Sequence, residues 1–168
     1  MTTEHAEAFK KLVSRSAEPL APDRMIHLCM EHEAFEFDDD IDGIMSTLVD
    51  TPLYELYPQG VRITGADAVR LFYERTLWIF RQLDPRGKDV ETRQVVSLGF
   101  GDTHLAAELS DEFEFPDGTR RRLQSLAVVE FRGDLLVGER LYFDLSLASL
   151  IDESLGEDFF ARPDVTAV

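Results

Sequence analysis

The chain has 168 residues, 44% hydrophobic and 30% charged, which suits one globular domain with a sizeable core. Seventeen basic against thirty-three acidic side chains leave a net charge of −16. Such a charge repels phosphate backbones and anionic lipid surfaces, so nucleic acid and membranes are set aside as partners.

Residues 1–22 are polar with scattered apolar positions and are closed off by Pro19 and Pro22. They read as an N-terminal arm. They do not resemble a signal peptide, and no apolar run is long enough to span a bilayer, so a soluble cytoplasmic protein is expected.

From Asp23, a candidate N-cap, to about Phe37, the residues Met25, Leu28, Cys29, His32 and Phe35 recur at helical spacing. The acidic run Asp38 to Asp42 breaks this helix and caps a second, shorter one carrying Ile44, Met45, Leu48 and Val49, which Pro52 ends. The same run lacks the alternating ligands of a calcium loop. PLYELYP and VRITG then read as two short strands joined around Gln59 and Gly60. GADAVRLFYERTLWIFRQL is an amphipathic helix with the stripe Val69, Phe72, Tyr73, Leu77, Phe80 and Leu83.

The remainder changes period. VETRQVVSLGF, THLAAELSDEFEF, TRRRLQSLAVVEF and LLVGERLYFDLS are strand candidates separated by short Gly, Asp and Pro turns, and so are expected to pair as an antiparallel meander. LSLASLIDESLG closes as a helix. The tail 157–168 offers Phe159 and Phe160 as docking points. Helices segregated to one side of such a sheet make an α+β fold, and a strongly curved sheet leaves a cone-shaped cavity beneath its helices. Residues 23–156 are expected to form that single domain.

The segments EHEAFEFDDDIDGIMSTLVDTPLYEL, ITGADAVRLFYERTL and VVEFRGDLLVGERLYFDLSLASL, in this order, resemble the nuclear transport factor 2-like superfamily and its SnoaL-like group. The resemblance implies an α+β cone, often homodimeric through the outer sheet face. Polyketide cyclases, ketosteroid isomerases, limonene-epoxide hydrolases, dehydratases and catalytically silent proteins share it, so the fold leaves the function open.

Within that pattern the aspartate of LYFD, Asp144, matches an acid/base residue on the last strand. Walled by Phe, Leu and Tyr it would be desolvated and its carboxyl pushed up toward the range useful at neutral pH. The alternative is that Asp144 caps the terminal helix or pairs with Arg140. Tyr142 and Arg140 alternate with Leu141 and Phe143 and would share the face of Asp144. A phenol there would polarise a substrate oxygen, and a guanidinium would hold a carboxylate or orient the aspartate. The resemblance also places Tyr54 and Tyr57 at the cavity mouth, where the family often carries a histidine that this chain lacks.

His32 sits on an apolar helix stripe, as a hydrogen-bonded core residue or as a ligand contact. Trp78 lies off its helix's main stripe and would close the cavity or pack on the tail. Glu108, with His104 and Glu112 in phase on one strand, offers a second carboxyl if that face is the inner one. Cys29, the lone cysteine, is expected to pack in the core and can form neither an intrachain disulfide nor a zinc cluster. No phosphate-binding glycine loop, serine elbow or metal-ligand spacing occurs, so no cofactor or metal is expected.

Three functions stay open. The first is a cofactor-free isomerase, cyclase, hydratase or hydrolase acting on a small apolar carbonyl or epoxide compound. The second is a non-catalytic binder of such a molecule. The third is a homodimeric interaction module, with Leu123, Ser125, Ala127, Val129 and Phe131 as its apolar outer face.

Overall fold

The computed structural model describes residues 18–82 and 93–168. The arm at 1–17 and the helix-stripe residue Leu83 lie outside the described residues. Helix α1 (Pro22–Phe37) starts with proline at its first position, where the missing N–H costs nothing. Asp23, expected as the cap, stands in the first turn instead, and Ala21 precedes the helix without a side-chain cap. Asp40 caps α2 (Ile41–Ser46) by accepting a hydrogen bond from the Gly43 amide at 2.8 Å.

The second helix is shorter than its sequence pattern suggested. Leu48 and Val49 belong to β1 (Leu48–Tyr57), and Pro52 lies inside this strand rather than at a helix end. The reason is local. The Thr47 carbonyl accepts from Leu136 N–H at 2.9 Å and draws the chain into the sheet directly after one helical turn and a half. Pro52, which has no N–H, falls where the register between β1 and β6 shifts between Leu48 and Leu53.

After β2 (Val61–Thr64) comes α3 (Ala66–Arg81), which buries Ala68, Val69, Phe72, Tyr73, Thr76, Leu77 and Ile79. Then follow β3 (Arg93–Phe100), β4 (His104–Glu114), β5 (Arg120–Arg132) and β6 (Leu135–Phe143). The chain ends with α4 (Leu145–Leu155), α5 (Glu157–Phe160) and β7 (Val165–Ala167).

Among the described residues the sheet has seven strands in the order β3-β4-β5-β6-β1-β2-β7, antiparallel except for the β1–β6 pair. It is curved and unclosed, with bulges at Val95/Ser97 and Glu130/Phe131 in its long strands. The tail is an integral part of it: β7 pairs with β2, and Phe159 is fully buried.

Register fixes which side chains face the helices. Leu105, Val129, Glu139, Tyr54 and Ile63 stand abreast across β4, β5, β6, β1 and β2. The next row toward the end of β6 is Ala107, Ala127 and Leu141, followed by Leu109, Ser125 and Phe143. These rows point toward α1 and α3, and the core lies there.

Candidate functional site

The curved sheet and helices α1 and α3 enclose a cavity of about 430 Å³, within the usual range for small-molecule sites. Its sheet wall is mostly apolar, with Leu105, Ala107 and Leu109 of β4, Ala127 and Val129 of β5, and Leu141 and Phe143 of β6; Asp111, Ser125 and Glu139 are its polar members. Met30 on α1 and Val95 and Leu98 on β3 line it too, yet are 64%, 58% and 44% exposed. Large apolar side chains in that position mark an opening between α1 and β3.

The polar end of the cavity is built mainly by α1. Cys29, His32, Glu33 and Glu36 line it at helical spacing, and Glu139 faces them from β6. His32 is 2% exposed and holds the centre. Its Nδ1 lies 2.5 Å from Thr47 Oγ1, and its Nε2 lies 2.9 Å from the Tyr73 hydroxyl. Tyr73 meets the Tyr54 hydroxyl at 3.0 Å.

The direction of this chain follows from proton counting. Thr47 has one hydroxyl proton and donates it to the Ile44 carbonyl at 2.7 Å, so it can only accept from His32. Nδ1 therefore carries the imidazole proton, and Nε2 accepts from Tyr73. Tyr73, its own proton committed, accepts from Tyr54. Three elements contribute to one polarised line of hydrogen bonds, with Tyr54 from β1, Tyr73 from α3 and His32 from α1.

Every shift resolved at this end favours the uncharged form. Burial pulls the His32 imidazole down to about 4 and so keeps it neutral at physiological pH. Burial, reinforced by nearby acidic groups, pushes the Cys29 thiol and the Tyr54 and Tyr73 phenols above their ordinary ranges. Burial first, and the Glu33 carboxyl second, push the Glu139 carboxyl up from 4.5 to about 8. Its side chain is only 12% exposed. Glu36 and Glu139 approach His32 Nε2 at 3.6 and 3.8 Å, and a neutral ring makes no ion pair with either. Burial thus favours the protonated form of the Glu139 carboxyl, a group that donates a proton when neutral and accepts one when ionised.

The expected cavity face of β6 is reversed. Asp144 is exposed and caps α4, its Oδ1 accepting from the Ser146 amide at 2.8 Å; it does not floor the cavity. Of its two readings from sequence, the cap is the one the geometry adopts. Tyr142 stacks on Tyr57 with ring centroids 4.6 Å apart, on the face turned away from the cavity. Arg140 stands 3.9 Å from Glu130 on that same face, and His104 stands 3.2 Å from Glu130. Tyr57 also donates to Glu55 at 3.3 Å, beside the Arg62–Glu55 pair.

Glu108 is exposed on the outer side and accepts from Ser97 at 2.9 Å. Trp78 is half-buried against the core and does not line the cavity. Tyr54 is buried beneath the cavity wall and reaches it through Tyr73. Of the eight site residues expected from sequence, His32 alone lines the cavity. The series Leu123, Ser125, Ala127, Val129 and Phe131, expected as an outer dimer face, points inward; Ser125, Ala127 and Val129 line the cavity.

The residues that sequence reasoning passed over had a signal. Glu33 and Glu36 continue the helix stripe Ile26, Cys29, Met30 and Phe37, where an acidic residue is out of place on a core-facing surface. Glu139 alternates in phase with Leu141 and Phe143, so a buried face that claims these two leucine and phenylalanine side chains claims the glutamate as well.

No family model and no curated protein matches the sequence. Solved structures do match the fold. An NTF2-like protein from Burkholderia pseudomallei superposes with a TM-score of 0.56 at 12% identity, over 76% of this chain and 96% of that one. The epoxide hydrolase/cyclase-like enzyme SalBIII, described with a role in pyran ring formation in the polyether salinomycin, gives 0.55 at 14% identity, over 87% and 96%. A protein of ketosteroid isomerase-like fold from Catenulispora acidiphila, in complex with trimethylamine, gives 0.53 at 12% identity, over 71% and 86%. The chain thus has the NTF2-like, ketosteroid isomerase-like fold, at identities too low to carry an activity across.

Proposed function

We propose that the cavity receives a small apolar organic molecule and that Glu139 exchanges a proton with it, in an isomerisation, cyclisation or hydration that draws on the protein's own side chains. The observation that carries this reading is the nearly buried Glu139 carboxyl in the cavity, beside the hydrogen-bond line of Tyr54, Tyr73 and His32. Desolvation keeps Glu139 protonated until a ligand atom needs the proton, and the narrow gap between its pKa and neutral pH makes the return equally accessible. Tyr73 lines the same cavity, and its hydroxyl is held by His32 on one side and Tyr54 on the other. With its one proton committed to His32, that hydroxyl keeps a fixed orientation and can only accept. Neighbours of this fold that act on or hold small organic molecules, SalBIII and the trimethylamine complex, support the ligand class.

The test is deuterium exchange from heavy water into a panel of apolar ketones, together with turnover of epoxides, followed by NMR and mass spectrometry. Glu139→Gln should lower any exchange or turnover found by roughly 10²–10⁴-fold, the range typical of losing a general acid/base. Unchanged rates in that variant would refute the assignment. A non-catalytic binder is the second reading, favoured by the long apolar wall from Leu105 to Phe143; it predicts saturable binding with no exchange in the wild-type protein.

A further inference from the structure

One row of the sheet joins the opening of the cavity to its buried acid. Strand pairing sets Leu98 of β3, Ala107 of β4, Ala127 of β5 and Leu141 of β6 abreast, and all four line the cavity. The row on one side carries the buried Leu105 and Val129 and reaches Glu139 on β6. The row on the other side carries Leu109 and Phe143, with Ser125 between them. Two alanines between such rows leave a trough across the strands, because a methyl group cannot fill the height of a leucine. Both alanines keep part of their surface open although β4 and β5 are interior strands. Neighbouring strands lie about 4.8 Å apart, so the trough runs about 14 Å from β3 to β6. Leu98, half-exposed, stands at its β3 end, where the cavity opens. Leu141, buried, closes its β6 end, and there Glu139 is the diagonal neighbour of Ala127.

We propose that Ala107 and Ala127 are the specificity-determining residues of this cavity: the occupant lies across the strands in their trough, its reactive group at Glu139 and its apolar tail over Ala107 toward the opening. This rests on the pocket reading above and adds the shape of the substrate. Length is tolerated toward the opening, where a tail projects past Leu98. Bulk is not, since a branch over Ala107 meets Leu105 on one side and Leu109 on the other.

The two alanines act on different parts of the occupant. Ala127 lies under the atoms next to the reactive group, because its strand is the neighbour of β6. Ala107 stands one strand further on, about 5 Å away, and lies under the tail. Enlarging either side chain narrows the trough at that point alone. The added atoms project into open space rather than into a packed core, so they do not force the overpacking that destabilises a filled interior.

Two ketones test the placement: cyclohexanone, which reaches from Glu139 no further than β5, and 4-phenylcyclohexanone, whose phenyl group extends over β4. Each is titrated by protein NMR shift changes into the wild-type protein, Ala107→Leu and Ala127→Leu. In Ala107→Leu the ratio of the two Kd values, phenyl ketone to cyclohexanone, should rise at least tenfold over wild type. Ala127→Leu should weaken both ketones at least tenfold. An unchanged ratio in Ala107→Leu overturns the trough and leaves the pocket reading standing. Binding of neither ketone by the wild-type protein overturns both. The wild-type complex supplies a measurement that needs no variant to fold. Intermolecular NOEs should connect the phenyl protons to the Ala107 methyl, and the ring protons beside the carbonyl to the Ala127 methyl. A phenyl group that contacts other walls and not Ala107 overturns the placement.

Discussion

Replacing Glu139 by glutamine should change how stability depends on pH, and the sign follows from the direction of its shift. In the unfolded chain the carboxyl titrates near 4.5, and in the fold burial and Glu33 move it to about 8. Between those values the native protein holds a proton that the unfolded chain has released, so unfolding liberates protons and stability falls as pH rises. The favourable contribution is complete below the unfolded value and is lost as pH climbs through the folded one. The limiting slope for one proton is about 1.4 kcal/mol per pH unit, and across the window the loss is at most a few kcal/mol.

His32 acts with the opposite sign. Its shift from 6.5 down to about 4 makes the unfolded chain the better proton binder there, so its contribution rises with pH and is complete above 6.5. The two effects oppose each other over the acidic part of the range. From about pH 6.5 to 8 the Glu139 effect stands alone. Urea unfolding followed through Trp78, the chain's one tryptophan and half-buried against the core, gives the midpoint at each pH. The readout is the difference between variant and wild type, since glutamine in an apolar cavity has its own pH-independent cost. That difference should move in the variant's favour by about 1 kcal/mol or more from pH 6.5 to 8. Parallel curves over that interval would mean that Glu139 is already ionised in the native protein, and the general-acid assignment would fall with it.

Three further outcomes are expected. Thr47→Val removes the acceptor of the His32 Nδ1 proton and leaves a buried N–H unpaired, at roughly 1–3 kcal/mol; ¹⁵N imidazole shifts should show the Nδ1-protonated tautomer in wild type and lose its dominance in the variant. Asp144→Ala deletes the α4 cap and should cost about 1 kcal/mol in thermal unfolding with no change in the exchange or turnover assay; a lost cavity function instead would contradict the cap assignment. Gly138→Ala should destabilise by roughly 1–3 kcal/mol from backbone strain alone, since Gly138 has φ +148°. A Cβ there would also overlap the Leu53 carbonyl oxygen, so unaltered stability would mean that β1 and β6 do not meet in this register.

The fold was legible because its signals are long and local. The β4–β5–β6 meander follows from three alternating runs divided by short turns, and α3 from a strong apolar stripe. What sequence could not decide was the phase of β6. Leu141 and Phe143 fill one side, while Tyr142 beside Tyr57 gives the other side an aromatic character of its own, and both sides carry an acid. Alternation alone cannot say which side the helices cover, and a one-residue change of phase exchanges every candidate at once. The same reversal turned the Leu123–Phe131 series from a surface into a cavity wall. Asp144 misled for a second reason: the last residue of a strand pattern is also the residue before a helix, and the Ser146 amide claims its carboxyl.

The reversal replaces an acid at the end of a strand by one in its middle, and this alters what the chemistry can rest on. Asp144 keeps its carboxyl by capping a helix, a role that exposes it to water. Glu139 is held in register between Val129 and Tyr54, in the middle of the sheet, and its side chain is only 12% exposed. The line from Tyr54 through Tyr73 to His32 is fixed in the same way, each member from a different element and each proton assigned by the next acceptor. Burial at this end favours the uncharged form at both Glu139 and His32. The polar end of the cavity therefore follows from one placement, the stripe Cys29, His32, Glu33 and Glu36 of α1 laid across the middle of β6.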